Sequence, residues 1–176
     1  MTTYIALFRG INVGGKNILP MKNLVKILES TGCVEVQTYL QSGNAIFKRN
    51  GNRISELKTQ LRLRIKKLYG FEPEILILDL AEFKTAIDNN PFDTQDGNTL
   101  HFFFLDSQPK YPNVDKLIAI KSKSEEFKLL KKVFYLFAPE GFGRSKLAAQ
   151  AEKCLGVSST ARNRNTVSKL VELASR

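Results

Sequence analysis

The 176-residue sequence predicts an α+β fold in two subdomains with antiparallel or mixed sheets. Three observations carry that prediction. Short apolar, β-branched or aromatic runs alternate with longer segments whose apolar residues recur every three or four positions. Residues 1–88 give the order strand–helix–strand–strand–helix–strand. Residues 89–176 repeat most of that rhythm after a connector rich in Pro, Asp, Asn and Gly, although residue identity between the halves is slight.

In the first half, residues 4–9 read as a buried strand through Ile5, Ala6, Leu7 and Phe8. Residues 12–17 form a loop, because Gly14 and Gly15 break any regular pattern. Pro20 suits the first position of a helix, and Met21, Leu24, Val25 and Leu28 give that helix one apolar face before Gly32 stops it. Residues 34–40 and 45–48 are strands separated by the polar turn Gln41-Ser42-Gly43-Asn44. Ile54, Leu57, Leu61, Ile65 and Leu68 mark a second helix that ends at Gly70, with Lys58, Arg62, Lys66 and Lys67 on its solvated side. Residues 74–78 are a fourth strand. This β-α-β-β-α-β order is the ferredoxin-like one. A short helix follows over 80–87, with Asp79 and Glu82 spaced as a capping box.

The connector 89–98 places a subdomain boundary near residue 88, giving domains 1–88 and 89–176. Beyond it, 100–105 is an aromatic strand, 114–120 a helix, and 126–130 with 133–137 a strand pair turned at Lys131-Lys132. A helix is expected over 144–154, irregular chain over 157–163, and a last amphipathic helix over 165–174 with Asn165 as its cap.

Composition narrows the function classes. With 43% hydrophobic residues, 12 of them Phe, the chain has enough apolar surface for a core and is not disordered. It carries 27 Lys and Arg against 17 Asp and Glu, a formal +10. The excess is even: 13 basic and 8 acidic residues precede residue 89, and 14 and 9 follow, so there is no basic tail. Such a surface favours anionic partners without specifying one. Cys33 and Cys154 are far apart among apolar neighbours and read as buried free thiols. His101 is the only histidine; beside Phe102–Phe104 it reads as structural, and a histidine-rich metal site is excluded. Asp88, Asp93 and Asp96 lack calcium-loop spacing, so no metal is expected, and nothing calls for a cofactor. No 18-residue apolar run and no signal-peptide pattern occur, which points to a cytoplasmic protein without membrane association.

Three polar stretches stand out. In the first, Arg9, Gly10, Asn12, Gly14, Gly15 and Lys16 follow a strand, where glycine amides and flanking cations suit a phosphate cradle; the pattern is neither GxxxxGK[ST] nor GxGxxG, and a structural glycine loop is the competing reading. Asn44, in the neighbouring turn, either joins such a site or only forms the turn. In the second, Gly143, Arg144, Ser145 and Lys146 precede a helix whose first amides favour an anion, and Ser145 equally suits an N-cap. In the third, Arg162, Asn163, Asn165 and Lys169 lie in the run SSTARNRNTVSK, which serves either an anionic ligand or a lock between the two domains. No Ser-His-Asp set, HExxH or GxSxG is present, and no nucleophile or general base can be named. The aromatic strand residues read as core rather than as a base-stacking surface, and no KGFxFV-like run occurs.

At these stretches the sequence resembles the DUF1697 family of bacterial proteins, whose function is unassigned. The resemblance rests on ALFRGINVGGKNILPM at 6–21, TYLQSGNAIF at 38–47, NPF at 90–92, GFGRSKL at 141–147 and TARNRNTVSKL at 160–170. It implies a cytoplasmic α+β protein of two ferredoxin-like subdomains and brings no reaction, ligand or catalytic residue. Where the family usually has tryptophan, this chain has Arg164. From the residues themselves, the expected function is an anionic-ligand binding module for nucleic acid or a phosphate-containing small molecule such as a nucleotide. A phosphate-handling enzyme and a structural or protein-interaction module are the alternatives.

Overall fold

The computed structural model describes residues 1–176. The chain forms two units, Met1–Lys84 with Leu170–Arg176, and Thr85–Lys169. Division by compactness thus falls four residues before the connector and returns the end of the last helix to the first unit.

In the first unit, β1 (Thr2–Arg9), α1 (Met21–Glu29), β2 (Val34–Tyr39), β3 (Asn44–Arg49), α2 (Ile54–Tyr69) and β4 (Glu74–Asp79) build a sheet of order β2-β3-β1-β4. All pairings are antiparallel, and Ile5 sits between Ile46 and Leu78. Side chains alternate across a strand, so one face of the sheet carries Tyr4, Ala6, Phe8, Phe47, Ile75 and Ile77. These pack with Leu24, Ile27 and Leu28 of α1 and Leu57, Leu61 and Ile65 of α2. Ile5, Leu7, Ile46 and Leu76 point to the other face and are also buried. Gly70, at φ 80°, ends α2 as a left-handed cap donating to the Lys66 carbonyl. The capping box forms: Glu82 N–H donates to Asp79 at 2.7 Å, and Asp79 N–H to Glu82 at 3.0 Å. It opens α3 (Leu80–Asp88).

The second unit repeats the topology. β5 (Leu100–Leu105), α4 (Val114–Ile120), β6 (Glu126–Leu130), β7 (Val133–Phe137), α5 (Lys146–Leu155) and β8 (Ser159–Asn163) give an antiparallel sheet of order β6-β7-β5-β8. The two four-stranded sheets are therefore two ferredoxin-like subdomains. The segment expected to be irregular over 157–163 contains β8. Its residues pair with β5 from Leu105–Ser159 to His101–Asn163, and this tertiary pairing overrides a weak local strand signal. Phe103, Leu105, Phe134 and Leu136 form a core with Leu117 of α4 and Leu147, Ala151 and Leu155 of α5. Leu100, Phe102, Phe104 and Tyr135 lie on the opposite face and are buried too. Tyr135 donates to the Ala86 carbonyl at 2.7 Å, which satisfies its buried hydroxyl. The last helix, α6 (Arg164–Ala174), passes from the second unit into the first. Both cysteines are buried free thiols. No helix is long and apolar enough to cross a membrane.

Candidate functional site

The glycine loop after β1 is a small hairpin closed by its own hydrogen bonds. Lys16 N–H donates to Val13 O at 3.0 Å, and Gly14 and Gly15 between them have φ of 57° and 74°. Positive φ at both central positions makes a type I′ turn, which explains the glycine pair without a ligand. Asn12 ties the hairpin down. Its Nδ2 donates to Leu19 O and to Gln41 O, each at 2.9 Å, and its Oδ1 accepts from Leu19 N–H at 2.8 Å. Asn17 adds a bond to Gly10 O. Asn44, fully buried, donates to Tyr39 O at 2.8 Å and Ser42 Oγ at 3.1 Å, closing the turn beside the hairpin. The strand-end group therefore comes together, with Arg9 half-buried at the end of β1 and the Lys16 side chain exposed.

The polar run at the β8–α6 junction is engaged within its own unit. Asn163 is the cap of α6, accepting from Thr166 N–H at 2.9 Å; Asn165, expected in that role, is one residue inside the helix. Asn163 was passed over because the strand was not recognised: once β8 ends at Asn163, the next residue begins the helix. Asn163 and Asn165 each donate to Asn98 Oδ1 at 3.2 Å, Arg164 N–H donates to Gly97 O at 3.1 Å, and the Arg164 guanidinium donates to Thr94 O at 2.6 Å. Arg164 thus holds the connector by a charge-assisted hydrogen bond. The fit is close: the Asn165 side-chain amide occupies the space a Cβ on Gly97 would need. Arg162 donates to its neighbour's carbonyl, Ala161 O, at 2.9 Å, and burial pushes its guanidinium down to about 10, so it stays charged at neutral pH. Lys169 is half-buried on α6.

The remaining group lines a cavity of about 270 Å³ in the second unit. The sequence folds there as follows. Phe142 turns inward and stacks on His101 with ring centroids 4.1 Å apart. That anchor fixes a single 3-10 turn, Phe142–Arg144, entered through Gly141 at φ 107°, a conformation that favours glycine. The helix expected from Arg144 accordingly starts at Lys146, two residues later. Ser145 is its N-cap, the hydroxyl accepting from Ala148 N–H at 2.9 Å. Arg144 and Lys146 are exposed at the cavity wall, and Gly143 lies in the same turn. Neither cation is held by a carboxylate. Backbone N–H groups at the start of α5 add partial positive charge beside them.

Sequence reasoning missed the rest of the lining. Ile120, Ser122, Glu125 and Glu140 complete the lining. Glu125 is 5% exposed, and its Oε2 accepts from Ser122 N–H at 2.8 Å. Glu140 Oε1 accepts from Ser124 Oγ at 2.6 Å. An apolar-spaced helix followed by Lys121-Ser122-Lys123-Ser124-Glu125 looks like ordinary surface chain, so no sequence signal marked these residues.

Acid–base chemistry finds little support here. Burial pushes the His101 imidazole down to about 4, so it is neutral near pH 7, and its Nδ1 has no hydrogen-bond partner. No three His, Cys, Asp or Glu side chains gather as metal ligands would.

Comparison with known proteins adds a family. The family model for proteins of unknown function designated DUF1697 matches residues 1–135. The fold is similar to that of a conserved bacterial protein from Streptococcus pneumoniae, with a TM-score of 0.72, 27% identity and 98% of each chain covered. No curated protein matches the chain at a significant level. The matched residues run from β1 into β7, stopping short of the Gly141–Lys146 turn. With most of its length matched, the chain belongs to the DUF1697 family.

Proposed function

We propose that this protein is a binding module for a small anionic ligand, a nucleotide or another phosphate-bearing molecule, held at the cavity before α5. One observation carries the reading: Arg144 and Lys146 stand exposed at the wall of a cavity of about 270 Å³, at the opening of a helix, with no carboxylate bound to either. Charge-assisted hydrogen bonds from such groups are strong, and α5 contributes in the same direction.

The geometry favours a small ligand over a nucleic-acid strand. Phe102, Phe103 and Phe104 are all buried, so β5 offers no face on which bases stack. The basic side of α2 is partly neutralised, with Arg62 on Glu74 at 2.7 Å and Lys66 on Glu72 at 2.6 Å.

Calorimetric titration with AMP tests the reading, alongside labelled single-stranded RNA and duplex DNA over a salt series. AMP binding is expected to weaken at least tenfold in a folded Arg144→Ala/Lys146→Ala variant, since hydrogen bonds from charged groups contribute about 1.5–3 kcal/mol each. Nucleic-acid binding is expected to fall steeply with salt and to be indifferent to the pair, as diffuse charge dictates. Absence of binding by both AMP and inorganic phosphate at millimolar concentration, or equal affinity in the double variant, rejects the proposal. Salt-resistant nucleic-acid binding that depends on the pair replaces it with the nucleic-acid reading.

A further inference from the structure

The cavity before α5 is lined by charges of both signs: Arg144 and Lys146, and Glu125 and Glu140. None of these four forms an ion pair with another, although they share so small a space. Glu125 is 5% exposed, and only one of its two oxygens has a protein donor, the Ser122 N–H, which leaves the other open to the cavity. Lys121, four residues earlier, does not pair with it: Lys121 Nζ donates to the backbone carbonyl of Glu125 instead, at 2.9 Å. Glu140 likewise has one oxygen on the Ser124 hydroxyl and the other without a protein donor. Ile120 supplies an apolar patch in the same lining.

A ligand bearing only negative charge meets two carboxylates here and gains from half of the lining. A ligand bearing both charges satisfies all of it. We infer that the cavity takes a small zwitterion, with a phosphate or carboxylate on Arg144, Lys146 and the first amides of α5, an ammonium on Glu125 and Glu140, and a short carbon linker along Ile120. This inference rests on the anion-binding reading of the same cavity and narrows its ligand class. The volume of about 270 Å³ suits a molecule of this size.

Four probes test it, in two matched pairs: phosphoethanolamine against ethyl phosphate, and β-alanine against propionate. Each pair differs in the ammonium group, and the pair with the tighter member tells phosphate from carboxylate. The zwitterion of that pair is expected to bind the wild-type protein at least tenfold more tightly than its partner. Glu125→Gln combined with Glu140→Gln is expected to bring the ratio close to one, while ethyl phosphate binding is unchanged or tighter. Gln keeps an oxygen to accept from Ser122 N–H, and thermal melting checks folding. If the double variant fails to fold, Glu140→Gln alone, at an exposed residue, is expected to lower the ratio at least threefold. Equal binding of both members of each pair to wild type overturns the zwitterion assignment and leaves the anion reading standing. A ratio unmoved by the Glu variants also overturns it. No binding of any of the four, together with no binding of AMP or inorganic phosphate, brings down both.

Discussion

Gly43→Ala is expected to destabilise the protein by about 3 kcal/mol, made up of roughly 1–2 kcal/mol for a left-handed non-glycine residue and a further ~1–3 kcal/mol for overpacking. Gly43 has φ 80°, and a Cβ there meets Ile11 Cδ1 at 2.5 Å and Phe8 Cβ at 2.8 Å. Phe8 and Ile11 are buried and cannot swing away. The contact exists because Phe8 N–H donates to Gly43 O at 2.8 Å, which draws the turn onto the end of β1. Gly51 supplies the control. It has the same φ of 80° but open space around the Cβ position, so Gly51→Ala is expected to show only the backbone cost of roughly 1–2 kcal/mol. Urea denaturation of both variants isolates the steric part. Equal losses in the two contradict the packed corner described here.

The second large effect is expected at Asn12. Asn12→Ala removes three hydrogen bonds, at 2.8, 2.9 and 2.9 Å, and leaves alanine at φ 53°. At about 1 kcal/mol net for each bond, the loss is about 2–3 kcal/mol. Amide exchange gives a local readout, because Leu19 N–H loses its only acceptor seen in the structure, Asn12 Oδ1, and is expected to exchange faster. Unchanged stability and unchanged Leu19 protection, accompanied by weaker AMP binding, would instead give Asn12 a role at a ligand.

These two positions show what kind of information the sequence carried. The glycine pair, Asn12 and Asn44 were visible as a polar loop, but a loop that binds phosphate and a loop that satisfies itself use the same residue types. What separates them is the Asn12–Gln41 bond, which joins residues 29 positions apart. Local signals were read well where the physics is local. The capping box at Asp79 and Glu82, the stop at Gly70 and the apolar stripe of α2 all depend on neighbours within one or two turns. β8 was not legible for the converse reason. Apart from Thr160, β8 carries little strand propensity, with Ala161 and Asn163 both disfavoured, and its conformation is imposed by pairing with β5, more than 50 residues earlier. The error over Asn163 and Asn165 followed from it. Glu125 and Glu140 were invisible as site residues because single acidic residues in surface chain look alike until the fold brings them beside Arg144.

The central claim is that the turn before α5 binds an anion through Arg144 and Lys146. An amide chemical-shift titration of the intact protein with inorganic phosphate tests it most directly. Saturable shifts are expected at residues 141–147 and at Ser122, and their loss is expected in the folded Arg144→Ala/Lys146→Ala variant. Shifts scattered over the basic surface without saturation, or a localised set that survives in the double variant, would contradict it.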